Sequence, residues 1–237
     1  MRTLNKILIL ATVVLALLMY PQTYIAIKVY SADALTLAKL SNFGGYDLAG
    51  KKRKDGQIDV VFMFDDGWKS VYTTAYPLFA KYGLRASLAI IPAKLSEHEY
   101  MSFNEVGELY MNGWDVLNHS YTHKENMDSK QLFNDFQLAA DWMEKRFLYK
   151  GAKMAVVPFG FCDPYLIKLL IDAGYHSVRL SDNIIVLNTQ KAYYYRVNVM
   201  ILTCDVEIKE AQDKLYYSWR ESVPFIFILH KIEQSSH

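Results

Sequence analysis

The chain has few cysteines, almost no excess of charge, and no internal repeat or low-complexity tract. Its two cysteines, Cys162 and Cys204, are too few and too far apart for a disulfide scaffold or a cysteine zinc cluster. The 26 basic and 25 acidic side chains argue against a dedicated nucleic-acid binder, which usually carries a basic excess. Because 52% of its 237 residues are hydrophobic, the chain is not disordered and can bury a core. One domain of ordinary to large size is expected.

An uncharged apolar run near the start, Ile7–Tyr20, predicts either a signal peptide or a membrane anchor. The small residues Ala32 and Ala34 lie far beyond the run for a cleavage site, so an uncleaved anchor within residues 1–28 is favoured. Extended to Ile27, the run reaches about the 20 residues of a spanning helix. Basic residues before it favour a cytoplasmic N-terminus and an extracytoplasmic body, at the cell surface or in the periplasm. Secretion after cleavage stays open.

The segment that follows, residues 29–54, is polar and contains glycine, which predicts a linker or stalk before the main folded domain over 55–237. It ends in the basic run KKRK, Lys51–Lys54. Such a run is either a solvated loop or a contact with an anionic lipid or polymer. A solvated loop is the simpler interpretation.

From Ile58 onward, short apolar runs alternate with helix-like segments, which predicts an α/β fold with mostly parallel strands. The chain is too short for an eight-fold barrel of about 250 residues, so an incomplete barrel or an open doubly wound sheet is expected. The predicted strands are Ile58–Phe64, Ala86–Pro92, Trp114–Leu117, Met154–Val157 and Pro224–His230. The predicted helices are Val71–Tyr82, Phe103–Asn112, Lys130–Phe147, Pro164–Ala173 and Ile208–Trp219.

Two predicted strands end in side chains that could carry chemistry. Asp65 and Asp66 form a turn with a glycine after the first strand, although such residues are also ordinary turn formers. His119 and His123 follow another strand, and on a helical turn this spacing would put both rings on one face, as a divalent metal requires. Surface and core histidines are common, so neither motif alone assigns a site.

Two further strand ends carry Pro158-Phe159-Gly160 and Leu229-His230. Ligand sites in parallel α/β folds collect at the carboxyl ends of the strands. The occurrence of all four motifs at such ends therefore indicates one site at this edge.

These motifs together resemble a known family. FMFDDGWKSVYTTAYPLFAKYGLRASLAIIP, NGWDVLNHSYTH, PFG and FILHKI are similar in content and order to motifs of polysaccharide deacetylases of the NodB-homology type, carbohydrate esterase family 4. The resemblance covers about Ile58 to Ile232. It implies a distorted (β/α)7-type barrel, one divalent metal ion that is usually zinc, and hydrolysis of N-acetyl groups from an amino-sugar polysaccharide with release of acetate.

Matched by position, the resemblance also implies site residues. Asp66, His119 and His123 would bind the metal, and Asp65 would be the catalytic base. The backbone N–H of Phe159 would stabilise the oxyanion, His230 would be the general acid, and Leu229 would line the pocket for the acetyl methyl. Trp68, directly after the Asp-Asp-Gly turn, is the best candidate for a platform under a sugar ring.

Two departures from the family pattern bear on activity. Many members have an arginine just before the Pro-aromatic-Gly motif, where it orients the base, but Met154–Val157 contains none. The fourth motif is not evident, and Arg196 and Asp205 are weak stand-ins for it. A third motif without arginine is similar to the branch that acts on exopolysaccharides such as poly-N-acetylglucosamine. The departures also leave open a degenerate glycan-binding or scaffold protein on the same fold.

Overall fold

The computed structural model describes residues 28–29, 58–181, 184–188, 192–203 and 206–232. Within these ranges, no helix combines the length and the apolar character that crossing a membrane requires. Most of the predicted anchor and stalk, and Cys204 and Asp205, lie outside the described residues. The predicted boundaries of anchor, stalk and catalytic domain therefore stay predictions.

The described strands are β1 Lys28–Val29, β2 Asp59–Phe64, β3 Ser87–Ile90, β4 Asp115–Asn118, β5 Met154–Val156, β6 Ser177–Arg179, β7 Ile184–Asn188, β8 Ala192–Arg196, β9 Asn198–Ile201 and β10 Phe225–Leu229. They form one sheet in which eight strands pair in parallel. Seven of these eight lie in the order β6-β5-β4-β3-β2-β10-β9, and the short strand β1 pairs with the start of β2. Strands β7 and β8 add an antiparallel hairpin beside β6.

The predicted α/β class with mostly parallel strands is thus confirmed. Within the described residues no pairing joins β8 to β9, so this part of the chain forms an incomplete barrel rather than a closed one. The chain is too short to supply eight full strand–helix units, which agrees with an open edge.

Helices connect the parallel strands. A π-helical turn, Val71–Ala75, leads into α1, Tyr76–Lys81, and is followed by α2 Phe103–Met111, α3 Ser129–Glu144, α4 Tyr149–Ala152, α5 Pro164–Asp172 and α6 Ile208–Glu221. Side chains fix several starts: Ser102 and Asp128 form capping boxes at α2 and α3, and Asp163 accepts a hydrogen bond from a backbone N–H of α5. The predicted helices are confirmed, and the largest error is at α3, which ends three residues before Phe147.

Two apolar layers cover the two faces of the sheet. Phe62 and Phe64 of β2 pack in the layer between sheet and helices, where Phe62 stacks on Phe227 with ring centroids 5.2 Å apart. Met63 belongs to the second layer, inside the curve of the sheet, together with Met154 and residues of β3, β4 and β10. Alternation along β2 predicts that Asp65 also faces the interior.

Gly151 in α4 marks the closest approach of a helix to the sheet. A Cβ atom there would lie 1.7 Å from the Val116 carbonyl oxygen. We expect Gly151→Ala to destabilise the protein by about 1–3 kcal/mol or more, because the backbone would have to move. The free energy of unfolding in urea measures this. Gly107→Ala in α2 is the matched control, since nothing lies within 4 Å of its Cβ position, and it should be neutral or stabilising. Equal stability of the two variants would contradict the packing described.

Candidate metal and catalytic site

The turn after β2 carries the two carboxylates and passes through left-handed backbone at its second and third residues. Asp66 has φ 75° and Gly67 has φ 86°, a region that aspartate and glycine tolerate better than most residues. The backbone N–H of Asp65 donates to the Leu229 carbonyl oxygen at 2.8 Å, which ties the turn to the end of β10. The local sequence is therefore suited to bending the chain sharply at the carboxyl edge of the sheet.

The loop after β4 is built around the buried amide of Asn118. The Asn118 Nδ2 group donates to the carbonyl oxygens of Phe136 and Ala152, both at 3.0 Å, and its Oδ1 accepts from Ser120 N–H at 3.0 Å. The Ser120 hydroxyl in turn accepts from the His123 backbone N–H at 3.1 Å. Ser120 and His123 have φ of 61° and 52°, so the two histidines do not lie on a helical turn. An irregular loop, fixed by side-chain hydrogen bonds, carries the two histidines instead.

Asp66, His119 and His123 come together despite that difference. The Nε2 atoms of His119 and His123 lie 3.4 Å and 3.8 Å from Asp66 Oδ1, and the three ligand atoms all lie within 4.8 Å of one another. His119 Nδ1 is 2.7 Å from the Val156 carbonyl oxygen. Because a carbonyl only accepts, Nδ1 carries the hydrogen and leaves the Nε2 lone pair free for a metal. Two imidazoles and one carboxylate fit a divalent ion with open coordination positions.

The charge states of these groups suit ligation near neutral pH. Partial burial of Asp66 acts to raise its pKa, but its interactions with His119 and the hydrogen bond from the Trp68 indole outweigh burial and lower the pKa to about 2. Burial, followed by the neighbouring charge of His119, lowers the pKa of His123. The carboxylate is therefore ionised and the His123 ring favours its neutral form, the states that bind metal.

Beside this cluster, Asp65 forms a buried ion pair with Arg179. Both residues are only 3% exposed, and the Arg179 Nη2 group donates to Asp65 Oδ2. The other carboxylate oxygen, Oδ1, is buried and has no hydrogen-bond partner among the described residues. A buried acceptor without a partner is costly, so its presence beside three potential metal ligands indicates a functional atom.

Arg179 is the residue that the sequence reasoning missed. The family pattern places an arginine just before Pro158, whereas here it comes from the end of the neighbouring strand, β6. The Val157 N–H donates to the Arg179 carbonyl oxygen at 3.0 Å, so the arginine lies directly beside the Pro158-Phe159-Gly160 turn. The sequence signal that could have indicated Arg179 was a charged residue within a short apolar segment, which forms the strand Ser177–Arg179. Of the two residues considered for the fourth motif, Asp205 lies outside the described residues, and so does the side chain of Arg196.

The predicted pocket residues surround the cluster in different ways. Phe159 is 62% exposed, with φ 61°, and its ring centroid lies 4.7 Å from that of His123. His230 is exposed at the end of β10, and its charge contributes to the low pKa of Asp66. Leu229 is 7% exposed and packs in the hydrophobic core. These positions are near the site, and the roles implied for the three residues stay predictions.

Trp68 contacts both the candidate metal ligand Asp66 and the aromatic ring of Tyr100. Its Nε1–H donates to Asp66 Oδ2 at 2.9 Å, which orients the carboxylate so that Oδ1 faces the histidines. The indole stacks on Tyr100 with centroids 4.4 Å apart, and Lys231 Nζ lies 5.4 Å from the indole centroid. The indole is thus already in contact with protein groups, and the prediction that a sugar ring of the substrate stacks on it remains a prediction.

With the geometry established, comparison with known proteins is informative. A sequence profile described as "Polysaccharide deacetylase" matches residues 52–178, more than half of the chain. The chain belongs to the polysaccharide deacetylase family. The match spans the Asp-Asp-Gly turn, the histidine loop and the Pro-Phe-Gly turn, and it ends one residue before Arg179.

Curated relatives agree with this family. A putative polysaccharide deacetylase, YxkH of Bacillus subtilis, is 26% identical over 95 residues, covering 35% of this chain and 34% of that protein. A poly-beta-1,6-N-acetyl-D-glucosamine N-deacetylase of Staphylococcus aureus is 23% identical over 188 residues, covering 72% of this chain and 62% of that protein. The chain thus spans about a third of the first relative and 62% of the second.

Solved structures of this deacetylase family share the fold. The Streptococcus pyogenes deacetylase PplD, solved with acetate, superposes with a TM-score of 0.66 at 14% identity, covering 88% of this chain and 86% of that one. IcaB from Ammonifex degensii gives 0.54 at 17% identity, covering 73% and 74%. These similarities show that the incomplete barrel is the family's fold.

Proposed function

We propose that this deacetylase family member removes N-acetyl groups from an amino-sugar polysaccharide in a metal-dependent hydrolysis that releases acetate. The observation that carries the proposal is the buried Asp65–Arg179 pair, with Asp65 Oδ1 unpartnered among the described residues, beside a cluster of Asp66, His119 and His123. A general base and a metal-binding group at one strand edge are the parts that amide hydrolysis requires.

Asp65 would act as the base. Arg179 holds Oδ2 and leaves Oδ1 as the atom that can take a proton from the attacking water. The water oxygen bonds to the acetyl carbon, the C–N bond breaks, and the amine leaves with a proton. The arginine fixes the direction of the carboxylate, so little reorganisation is needed at the moment of reaction.

Asp66, His119 and His123 would hold the ion, and zinc suits two imidazoles and one carboxylate. A divalent metal bound there supplies Lewis-acid polarisation of the acetamide carbonyl and a more acidic water. The Val156 carbonyl and the Trp68 indole act from outside the cluster, since they orient His119 and Asp66 respectively.

Three further residues would take part in the reaction at this site. The Phe159 N–H would donate to the oxyanion that develops on the carbonyl oxygen, and His230 would give a proton to the departing amine. Leu229 would bound the pocket for the acetyl methyl. Products are acetate and a glucosamine-type unit, which becomes cationic near neutral pH.

The names of the relatives suggest the substrate class. Because the staphylococcal relative acts on poly-beta-1,6-N-acetyl-D-glucosamine, we take a β-1,6-linked N-acetylglucosamine polymer as the first substrate to test. Such a polymer lies outside the cell, which agrees with the extracytoplasmic placement predicted from the N-terminal apolar segment.

Metal removal is the first test of the proposal. We expect chelation to lower acetate release from β-1,6-linked N-acetylglucosamine oligomers by about 100-fold or more, because the charge stabilisation at the carbonyl oxygen is lost. Addition of zinc should restore it. Released acetate is measured with the full chain.

The control is an unfolding curve of the chelated protein, which should remain cooperative, so that lost activity is not lost structure. Acetate release that persists undiminished in chelator would contradict the metal dependence. If the folded, zinc-supplemented chain released no acetate from a panel of β-1,6-, β-1,4- and peptidoglycan-derived glycans, the glycan-binding alternative would replace the enzyme.

A further inference from the structure

Five helices of the described chain end in the same motif, at the edge where the parallel strands begin. In each, one N–H bonds the carbonyl three residues back and the next N–H bonds the carbonyl five residues back, the pattern of a Schellman C-terminus. The left-handed residues at its centre are Gly83, Gly113, Phe147, Gly174 and Ser222. Because β3, β4, β5, β6 and β10 begin shortly after these residues, the five ends lie on one face, called here the strand-start face.

Phe147 and Ser222 are the two residues of this set that carry a Cβ atom, and Phe147 is the exposed one, since Ser222 is buried. Glycine is favoured at this position because a Cβ atom is strained at positive φ, and Phe147 has φ 65°. Its side chain is 72% exposed, so it gains little from burial in return. Folding alone therefore does not account for phenylalanine at this position.

The surroundings of Phe147 combine aromatic and basic side chains. Tyr149, 58% exposed, contacts the Phe147 ring edge to face, with centroids 5.9 Å apart. Lys145, Arg146 and Lys150 are exposed on the same short segment, against the single acid Glu144. Exposed aromatic rings next to cations are the composition of surfaces that enter the interface of an anionic bilayer.

Two segments predicted from the sequence join the described chain near the same face. The basic run Lys51–Lys54 ends four residues before Ile58, so the chain can carry it no further than about 14 Å from the start of β2. The predicted apolar segment ends at Ile27, directly before β1, which pairs with the first residues of β2. Both segments therefore join the domain at the strand-start face.

From these placements we propose that the strand-start face docks on a membrane surface containing anionic phospholipid, with Phe147 and Tyr149 inserted among the headgroups. The cluster of Asp66, His119 and His123 lies at the opposite ends of the strands. Docking would therefore leave the proposed active site facing away from the bilayer, toward the polymer. The placement of this face follows from the geometry alone, and only the preference for a membrane over the polymer rests on the proposed deacetylation.

A membrane fits these side chains better than the polymer does. Deacetylation converts the polymer to a polycation, which basic residues repel, whereas anionic headgroups attract them. An exposed aromatic ring is stabilised most where one part of it contacts an apolar phase and the rest contacts water, as at a bilayer interface.

The experiment uses the full chain in vesicles, with Cys162→Ser and Cys204→Ser and one new cysteine carrying an environment-sensitive fluorophore. Phe147→Cys and Met111→Cys place the probe on the strand-start face, where Met111 is 83% exposed, and Glu125→Cys places it in the exposed loop at the catalytic edge. Nitroxide-labelled lipids report contact by quenching. We expect quenching at 147 and 111 to exceed that at 125 by about fivefold in phosphatidylglycerol vesicles, and to fall in phosphatidylcholine or high salt.

A second variant separates docking from folding. Phe147→Gly restores the residue that the motif favours, so it should raise the Tm by about 2–4 °C. The same change should reduce quenching of the probe at Met111→Cys. Equal quenching at all three probe positions, or quenching independent of lipid charge, would overturn the proposal. A lower Tm for Phe147→Gly would also overturn it, because Phe147 would then serve the fold.

Discussion

Asp65→Asn is expected to lower kcat for acetate release by about 10²–10⁴-fold, the range that a general base contributes. Asparagine has nearly the same shape and can still accept a hydrogen bond from Arg179, but it cannot take a proton from water. Because Asp65 is not among the three clustered ligands, zinc affinity should change little. Acetate release and competitive zinc titration on the same preparation measure the two quantities separately.

Asp163→Asn is the matched control. Asp163 caps α5 through its side chain, and asparagine caps helices about equally well, so kcat should be unchanged. If Asp65→Asn kept more than about a tenth of the activity, another group would have to be the base.

Arg179→Gln is expected to destabilise the protein by about 3–5 kcal/mol, because it leaves the buried Asp65 carboxylate without its countercharge. It should also lower kcat, since the carboxylate loses the group that orients it. Urea unfolding gives the stability, and acetate release from the fraction that remains folded gives the activity.

The double variant Asp65→Asn/Arg179→Gln distinguishes the two effects. With both charges removed, much of the stability should return, while activity stays lost, so the two single changes will not add in stability. Strict additivity would show that the two side chains act independently and would contradict the pair. Arg179→Lys provides the conservative comparison, since it retains the charge but not the planar guanidinium.

Much of the fold was predictable because the apolar runs have strong local periodicity. Ile58–Phe64 and Pro224–His230 contain β2 and β10 within one residue at each end, and Phe103–Asn112 contains α2. Closure of the barrel was less predictable, because strand pairing between distant segments depends on tertiary contacts rather than on local pattern. The hairpin of β7 and β8 was recognised only as a set of strand candidates.

The grouping of the candidate ligands was predictable, but the residues that support them were not. Asp66, His119 and His123 belong to contiguous motifs, and the structure brings the three side chains together. The loop geometry of the histidines depends on Asn118, whose partners are up to 34 residues distant, so the spacing of the histidines alone could not predict it. Arg179 reaches Asp65 from 114 residues away in sequence, a distance over which no local motif carries information.

The apolar layer on the inner face of the sheet keeps the Asp65–Arg179 pair away from solvent, unlike the charged side chains on the protein surface. Arg179 lines an apolar cavity of about 40 Å³ together with Met63, Met154 and Val156, and both partners of its ion pair with Asp65 are only 3% exposed. Salt screens exposed charges within about 10 Å at 0.1 M, but buried pairs much less. Ionic strength should therefore change the proposed contacts of the protein surface with polymer and membrane, and should have little effect on the Asp65–Arg179 pair.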